Sequence, residues 1–517
     1  MPSQLAQQYD FIVCGSGSSG SVVARRLAEN PDVSVLVLEA GGTGDVPEVT
    51  NAVRWVDNLG TDRDWAFVAQ ASPHLQGRAL PLSMGKMLGG GSGINVMCWA
   101  RGHRNDWDYF AAEAGDKSWS YEAVLDVYRR IEDWQGEPDP LRRGIGGPAF
   151  VQSAPDPHPI ASAIVKGAEC VGLPTFDSNN GVMMEGHGGA AIQDIRVRDG
   201  RRESVFDSYL RPHLGRQNLT VLTHALVTKL VLDGNRVSGV EFSRDGTTRR
   251  VRAGSEVIVS QGAIQTPKLL MQSGIGDTDE LRRFGIPVSQ HLPGVGRNYQ
   301  DHALIPCLWE YPEPMPPRNC GSEATLFWKS DPALDTPDIH VCFIEFPFAN
   351  ETTAAQFTIP EHGWTPCVGV ARPNSRGRVR LTGPNPSDPV KVDANLLSDP
   401  ADMKAAIAGV ELCREIAGSD PLRPFVKRAA APGDLPRNEL ERYVRDAAET
   451  YWHQTCTAKM GRDEMSVVAS DLKVYGVENL RIADGSIMPR ITTGNTMAPC
   501  VVIGERAAEI LKTEHVL

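Results

Sequence analysis

No apolar run in the 517 residues reaches the ~18 that a membrane-crossing helix needs, so no membrane span is expected. The opening MPSQLAQQYD has neither a basic start nor an apolar core, and no secretory leader is expected either. Cysteine is sparse: ten thiols are scattered from Cys14 to Cys500 without a CxxC pair, which argues against a disulfide frame and for reduced thiols in the cytoplasm. The twelve histidines form no HxxxH pair or His/Cys cluster, and no metal site is expected. Basic blocks are missing as well. With 52 Lys and Arg against 64 Asp and Glu the net charge is -12, unsuited to nucleic acid or an anionic membrane. There is no GxSxG elbow, since GGGSG at 89–93 has its serine in the wrong place, and there is no internal repeat or low-complexity tract.

What is present is a globular composition, 41% apolar and 22% charged, long enough for two or three domains and a large ligand. The first informative stretch is YDFIVCGSGSSGSVVARRLAENPDVSVLVLEAGG, residues 9–42. Phe11 to Cys14 form a short apolar strand, and Gly15, Gly17 and Gly20 fit GxGxxG. Ser21 to Leu27 carry a helical stripe, and Val33 to Leu38 make a second strand that ends in Glu39. Strand, glycine turn, helix, strand and acid together predict a dinucleotide site. The turn and helix start take the pyrophosphate and Glu39 the ribose hydroxyls. An acid at that place disfavours a 2'-phosphate and leaves FAD and NAD.

The stretch GKMLGGGSGINVMCWARGHRNDWD, residues 85–108, is too rich in glycine for an ordinary connector unless backbone packs closely against a flat or charged group. From Gly85 through Asn95, Trp99 and Gly102 to Asp108 it resembles the first signature of the glucose-methanol-choline (GMC) flavoprotein oxidoreductases. GAIQTPKLLMQSGIG (262–276) resembles the second, and NLRIADGSIMPRITTGNTMAP (479–499) resembles the end of the same family's chain. The resemblance spans nearly the whole sequence and implies that the dinucleotide is FAD.

Carried over residue by residue, the resemblance implies that Gly15, Gly17, Ser18, Ser19 and Gly20 hold the pyrophosphate and Glu39 the adenosine ribose. Trp65 and Val227 would lie at the adenine end. Gly90, Asn95, Val96 and Trp452 would lie beside the isoalloxazine, and Asp484 near the ribityl chain. A helix starting at Thr496 would point its positive end at the flavin. A lone histidine such as His453 in YWHQTC is ordinarily a core residue. In this family its place faces the reactive side of the flavin, opposite Asn495. The implied reaction is oxidation of a primary alcohol to the aldehyde, His453 taking the hydroxyl proton as hydride leaves for flavin N5. Alternatives are a cyanohydrin lyase of the same fold and a choline- or quinone-type dehydrogenase. The electron acceptor is oxygen, or else a quinone or dye.

Two departures stand out. Gln454 and Cys456 occupy places where the family usually has Pro and Gly, so a different local turn is expected. Ile94 stands where covalently flavinylated members have histidine, so FAD is expected to be non-covalent. The fold implied is α/β (α+β overall), a Rossmann-like FAD domain from 1–150, 196–300 and 451–517. A substrate domain on a mostly antiparallel sheet would be inserted at 151–195 and 301–450. EYPEPMPP and FANETTAAQF have the composition of lid loops. The substrate is expected to be a neutral primary alcohol on an aromatic or apolar body. In HVCFIEFPF (340–348) either Cys342, Ile344, Phe346 and Phe348 face the pocket, or Val341, Phe343 and Glu345 do; only the second set brings a counter-ion for a cation.

Overall fold

In the computed structural model, which describes residues 5–517, β1 (Gln8–Cys14), α1 (Ser18–Leu27) and β2 (Val35–Leu38) follow one another as the glycine-containing segment predicts. β1 and β2 run parallel, Phe11 to Cys14 lying opposite Val35 to Leu38. Both are buried almost throughout, as a strand covered on two faces requires. Thr247–Val259 continues the sheet on the other side of β1. Its later half runs parallel to β1 and its earlier half pairs antiparallel with Arg236–Arg244. Leu219–Leu222, Leu226–Asp233 and Leu480–Ile482 complete seven strands. Val22, Val23 and Leu27 of α1 share one core with Val501, Val502 and Ile503 of α2 (Met497–His515). The parallel strands all end at one edge, where Gly15, Glu39 and Ser260 follow them into a cleft, the usual place for a ligand on an open parallel sheet.

A second sheet of nine strands roofs that cleft. Its main order is Arg428–Ala431, Leu308–Glu310, Gly363–Val370, Ile339–Ile344, Ser322–Trp328, Gly189–Ile192 and Thr175–Phe176, antiparallel except for the last pair. Ala303–Pro306 joins Gly363–Val370 to Glu449–Thr450. One face packs on the helices Pro159–Cys170 and Pro400–Ala417, where Val341 and Phe343 meet the core of Ile160, Ile164 and Val410. The opposite face places Cys342 and Ile344 with Leu304, Cys367, Trp55 and Tyr451.

The stretch FANETTAAQF is not all loop. It holds a short helix, Glu351–Gln356, because Asn350 accepts a hydrogen bond from the Thr353 amide and caps it. Among the described residues no helix is long and apolar enough to cross a membrane.

Candidate active site

One cavity runs from the edge of the first sheet to the inner face of the second. At its start Gly15, Gly17, Ser18 and Ser19 line the wall, and Gly17 is the N-cap of α1, so the first amides of the helix are free to meet an anion. Gly20 does not line the cavity. A Cβ there would come within 2.0 Å of the Gly15 carbonyl oxygen, so this glycine serves the close packing of helix on turn. Glu39 accepts from the amide and hydroxyl of Ser16 (3.0 and 2.7 Å) and from the Gly41 amide (2.9 Å). It faces the cavity while holding the turn, and burial raises its carboxyl above the usual range.

Trp65 and Val227 border the same end. The Trp65 ring stacks on Phe67 with centroids 5.7 Å apart, and Lys86 stands 5.0 Å over it. The Gly-rich loop forms the side wall through Gly90, Asn95 and Val96. Gly90 has φ +52°, and a Cβ on it would lie 2.8 Å from Gly17 Cα, which brings the loop directly against the glycine turn. Asp484 ties two signature segments together, accepting from Gly262 N (2.9 Å), Thr266 Oγ1 (2.6 Å) and Ser486 N (2.8 Å). Thr496, the N-cap of α2, lies on the wall as well.

The far end gathers His453, Asn495, Trp452, Tyr451, Cys342 and Ile344. Asn495 Nδ2 stands 3.3 Å from His453 Nε2, and His453 Nδ1 stands 2.9 Å from Nδ1 of His302. An amide nitrogen only donates, so Nε2 of His453 carries the lone pair and Nδ1 the hydrogen, which it gives to His302 Nδ1. His302 then holds its own hydrogen on Nε2, which is buried without a hydrogen-bond partner. Tyr451 stacks on the His453 ring at 5.3 Å, and the His453 amide donates to Asp301 Oδ1 at 2.9 Å. Burial, then the nearby His302 and His340, hold His453 well below the ordinary histidine range, so it is neutral at neutral pH. Burial pushes Asp301 up to about 7.

Backbone strain brackets this histidine. Trp452 has φ +57° and Cys456 φ +73°. The turn therefore holds a glycine-type conformation at Cys456 although the residue is not glycine. The indole N–H of Trp452, Gln454 Oε1 and Asn495 Oδ1 are buried without partners. All three residues line the cavity, leaving polar atoms turned toward a ligand.

Strand 339–344 presents Cys342 and Ile344 to the cavity, whereas Glu345 accepts from the Arg318 amide at 2.8 Å and lies off the lining. Among the described lining residues the carboxylates are Glu39 and Asp484, both in the dinucleotide portion. Sequence reading missed His302, Asp301 and Trp55. For the first two a signal existed, a pair of titratable residues directly before a buried strand in NYQDHALIP.

The family model described as GMC oxidoreductase matches residues 9–304 with its N-terminal part and 373–504 with its C-terminal part. An oxygen-dependent choline dehydrogenase of Paraburkholderia xenovorans is 34% identical over 99% of this chain and 96% of its own. A pyridoxine 4-oxidase from Mesorbium loti superposes with a TM-score of 0.93 at 32% identity, covering 98% of this chain and 99% of its own. A formate oxidase of Aspergillus oryzae, solved for the modification of its FAD, superposes at 0.89 with 25% identity, covering 99% and 100%.

Proposed function

The chain belongs to the GMC oxidoreductase family and is an oxidoreductase acting on CH–OH donors; from that membership we propose that it oxidises a neutral primary alcohol to the aldehyde with His453 as general base. The single observation that carries this reading is His453 Nε2, a lone pair turned into the cavity beside Asn495 by the His302 contact behind it. The cleft suits FAD. Helix amides at Ser18 and Ser19 answer a pyrophosphate, Glu39 lies within the adenosine end, and unpartnered polar atoms wait at the other. Gly90, Asn95, Val96, Trp452, Asp484 and Thr496 would hold the flavin half, and Trp65 and Val227 the adenine. With Ile94 in the loop, no nucleophile is offered there for covalent attachment. When bound, FAD supplies the acceptor for the hydride.

The protein's part is to bind, orient and take a proton. Asn495 hydrogen-bonds the alcohol oxygen without competing for its hydrogen, and Nε2 of His453 receives that hydrogen as negative charge develops on the oxygen. The resulting imidazolium keeps its Nδ1–H bond to neutral His302, which sets the ring's orientation. Trp55, Val96, Ile344, Cys342 and Trp452 exclude water and suit an apolar or aromatic body. The likeness to an oxidase named for pyridoxine, an aromatic alcohol, supports the same substrate class. Residues 151–195 and 301–450 would form the substrate domain, the remainder the FAD domain. Oxygen is proposed as the acceptor ahead of a quinone; turnover with a dye but negligible peroxide in air would reverse that order.

An anaerobic panel of alcohols, read as loss of flavin absorbance, tests the reading. His453→Ala is expected to keep FAD and lose roughly 10²- to 10⁴-fold in the rate of bleaching. Asn495→Ala should lose less, a hydrogen bond worth about 1 to 3 kcal/mol. A few-fold loss in His453→Ala, with FAD retained, returns His453 to a packing role. A flavin that no alcohol bleaches, in a protein that cleaves a cyanohydrin, makes the protein a lyase.

A further inference from the structure

Arg202 stands in the two-residue strand Arg201–Arg202, behind the Gly-rich loop and outside the residues that line the cavity. Its exposure is 5%. Nε donates to the Val49 carbonyl at 2.9 Å, and Nη1 to the Ser92 carbonyl and Asn95 Oδ1 at 3.1 and 2.8 Å. Nη2 has no partner. Three other buried arginines rest on carboxylates: Arg101 and Arg143 on Glu132, Arg481 on Glu256. Arg196 lacks an ion pair but lies over the Trp99 ring at 5.5 Å. Arg202 has neither. Asp207 acts on it only through space, and that carboxylate is taken up by Ser204 and Arg211.

Burying a cation without a counter-ion is costly, so its retention calls for a use of the charge. Ser92 and Asn95, the groups it grips, belong to the wall that joins the glycine turn at Gly17 to the reaction end at His453. Asn95 itself spans the gap, receiving the Met97 amide on Oδ1 (3.0 Å) while its Nδ2 meets Met497 Sδ (3.2 Å) at the start of α2. We propose that Arg202 is a positioning residue that clamps the 92–95 corner of this loop and places a fixed positive charge behind the redox-active end of FAD. The inference rests on FAD occupying the cavity with that end at Asn95 and His453. Reduction adds negative charge to the flavin, and a buried cation one layer away, poorly screened, favours it.

The test compares FAD-loaded wild type, Arg202→Gln and Arg202→Lys by spectroelectrochemical midpoint and by the dissociation constant for sulfite, whose addition to oxidised flavin also leaves the ring negative. Arg202→Gln should disfavour reduction about tenfold, a midpoint lower by about 30 mV for a two-electron couple, and should bind sulfite about tenfold more weakly. Arg202→Lys keeps the charge and should stay within about threefold of wild type in both, while its single ammonium, unable to grip three acceptors, releases FAD more readily. Arg202→Gln with wild-type midpoint and sulfite affinity overturns the proposal and leaves the FAD reading standing. If Arg202→Gln does not retain FAD, Arg202→Lys decides, and a tenfold loss in its sulfite affinity overturns the role of charge. A wild type that takes up no flavin refutes the FAD reading itself.

Discussion

Cys456 holds a side chain at φ +73° within three residues of the base, fully buried. An L-residue there costs about 1 to 2 kcal/mol relative to glycine, and removing a small buried side chain costs about as much. Cys456→Gly should therefore leave the urea midpoint within about 1 kcal/mol of wild type, whereas Cys456→Val, β-branched, should lose more than about 2 kcal/mol. Equal losses in both would show that packing, not backbone, rules the site. The histidine pair behind it carries a pH signature. Burial holds His302 down to about 3 and depresses His453 too, so the folded state binds fewer protons than the unfolded one. The contribution of His302 is fully present above ~6.5 and is lost as pH falls toward about 3, by about 1.4 kcal/mol per unit, and His453 acts in the same direction. Asp301, raised to about 7, acts oppositely: its contribution is present below ~3.9 and is lost as pH rises through about 7. His302→Gln should therefore lose less urea stability than wild type between pH 6.5 and 4.5, by about 1.4 kcal/mol per unit. A parallel decline in both would detach His302 from the effect.

At the scale of elements, strand 339–344 shows what the sequence leaves open. Alternation told that Cys342 and Ile344 share one face and Val341, Phe343 and Glu345 the other, but not which face meets the cavity. That choice is made by the helices Pro159–Cys170 and Pro400–Ala417, which cover Val341 and Phe343 from distant parts of the chain. β1, α1 and β2 were legible because turn, helix and strands lie within about 30 residues and each glycine has a local reason. Asp301, His302 and Arg202 were not, since the partners that give them their places lie 107 to 153 positions away. The chosen face makes a prediction. With no carboxylate at the substrate end, benzyl-type alcohols should have higher kcat/KM than choline, and Glu345→Gln should change neither value more than about threefold. The competing outcome has support of its own: Trp55, Phe346, Phe348 and Trp452 pack together, and aromatic faces hold quaternary ammonium groups. A clear preference for choline that survives Glu345→Gln would assign those rings, not a carboxylate, to substrate binding.

Across the whole molecule the cavity is walled by residues from Gly15 to Cys500, drawn from both sheets, the Gly-rich loop and α2. A ligand filling it bridges parts that otherwise meet across a void, so the cofactor should act as a structural member held by mass action. Two measurements follow. Acid precipitation and centrifugation should leave the yellow colour in the supernatant, since position 94 carries Ile and not a nucleophile; colour retained in the pellet refutes non-covalent binding. Protein stripped of flavin should then melt at a lower temperature and regain its Tm as FAD is added. The stabilisation grows as RT ln(1 + [L]/Kd), about 2.7 kcal/mol at 100 times Kd and about 1.4 more for each further tenfold. For a chain this long each kcal/mol is worth no more than about 2 to 4 °C, the range for domains of about 150 to 250 residues, so each decade of free FAD should raise Tm by at most a few degrees. The same titration on Gly90→Ala separates bridging from simple occupancy. A Cβ at Gly90 pushes the loop off Gly17 and puts an L-residue at φ +52°, so the stripped variant should melt a few degrees below stripped wild type and, measured from that lower start, need at least tenfold more FAD for an equal rise. A variant whose FAD-dependent rise matches wild type would show that the contact between loop and glycine turn has no part in holding the cofactor.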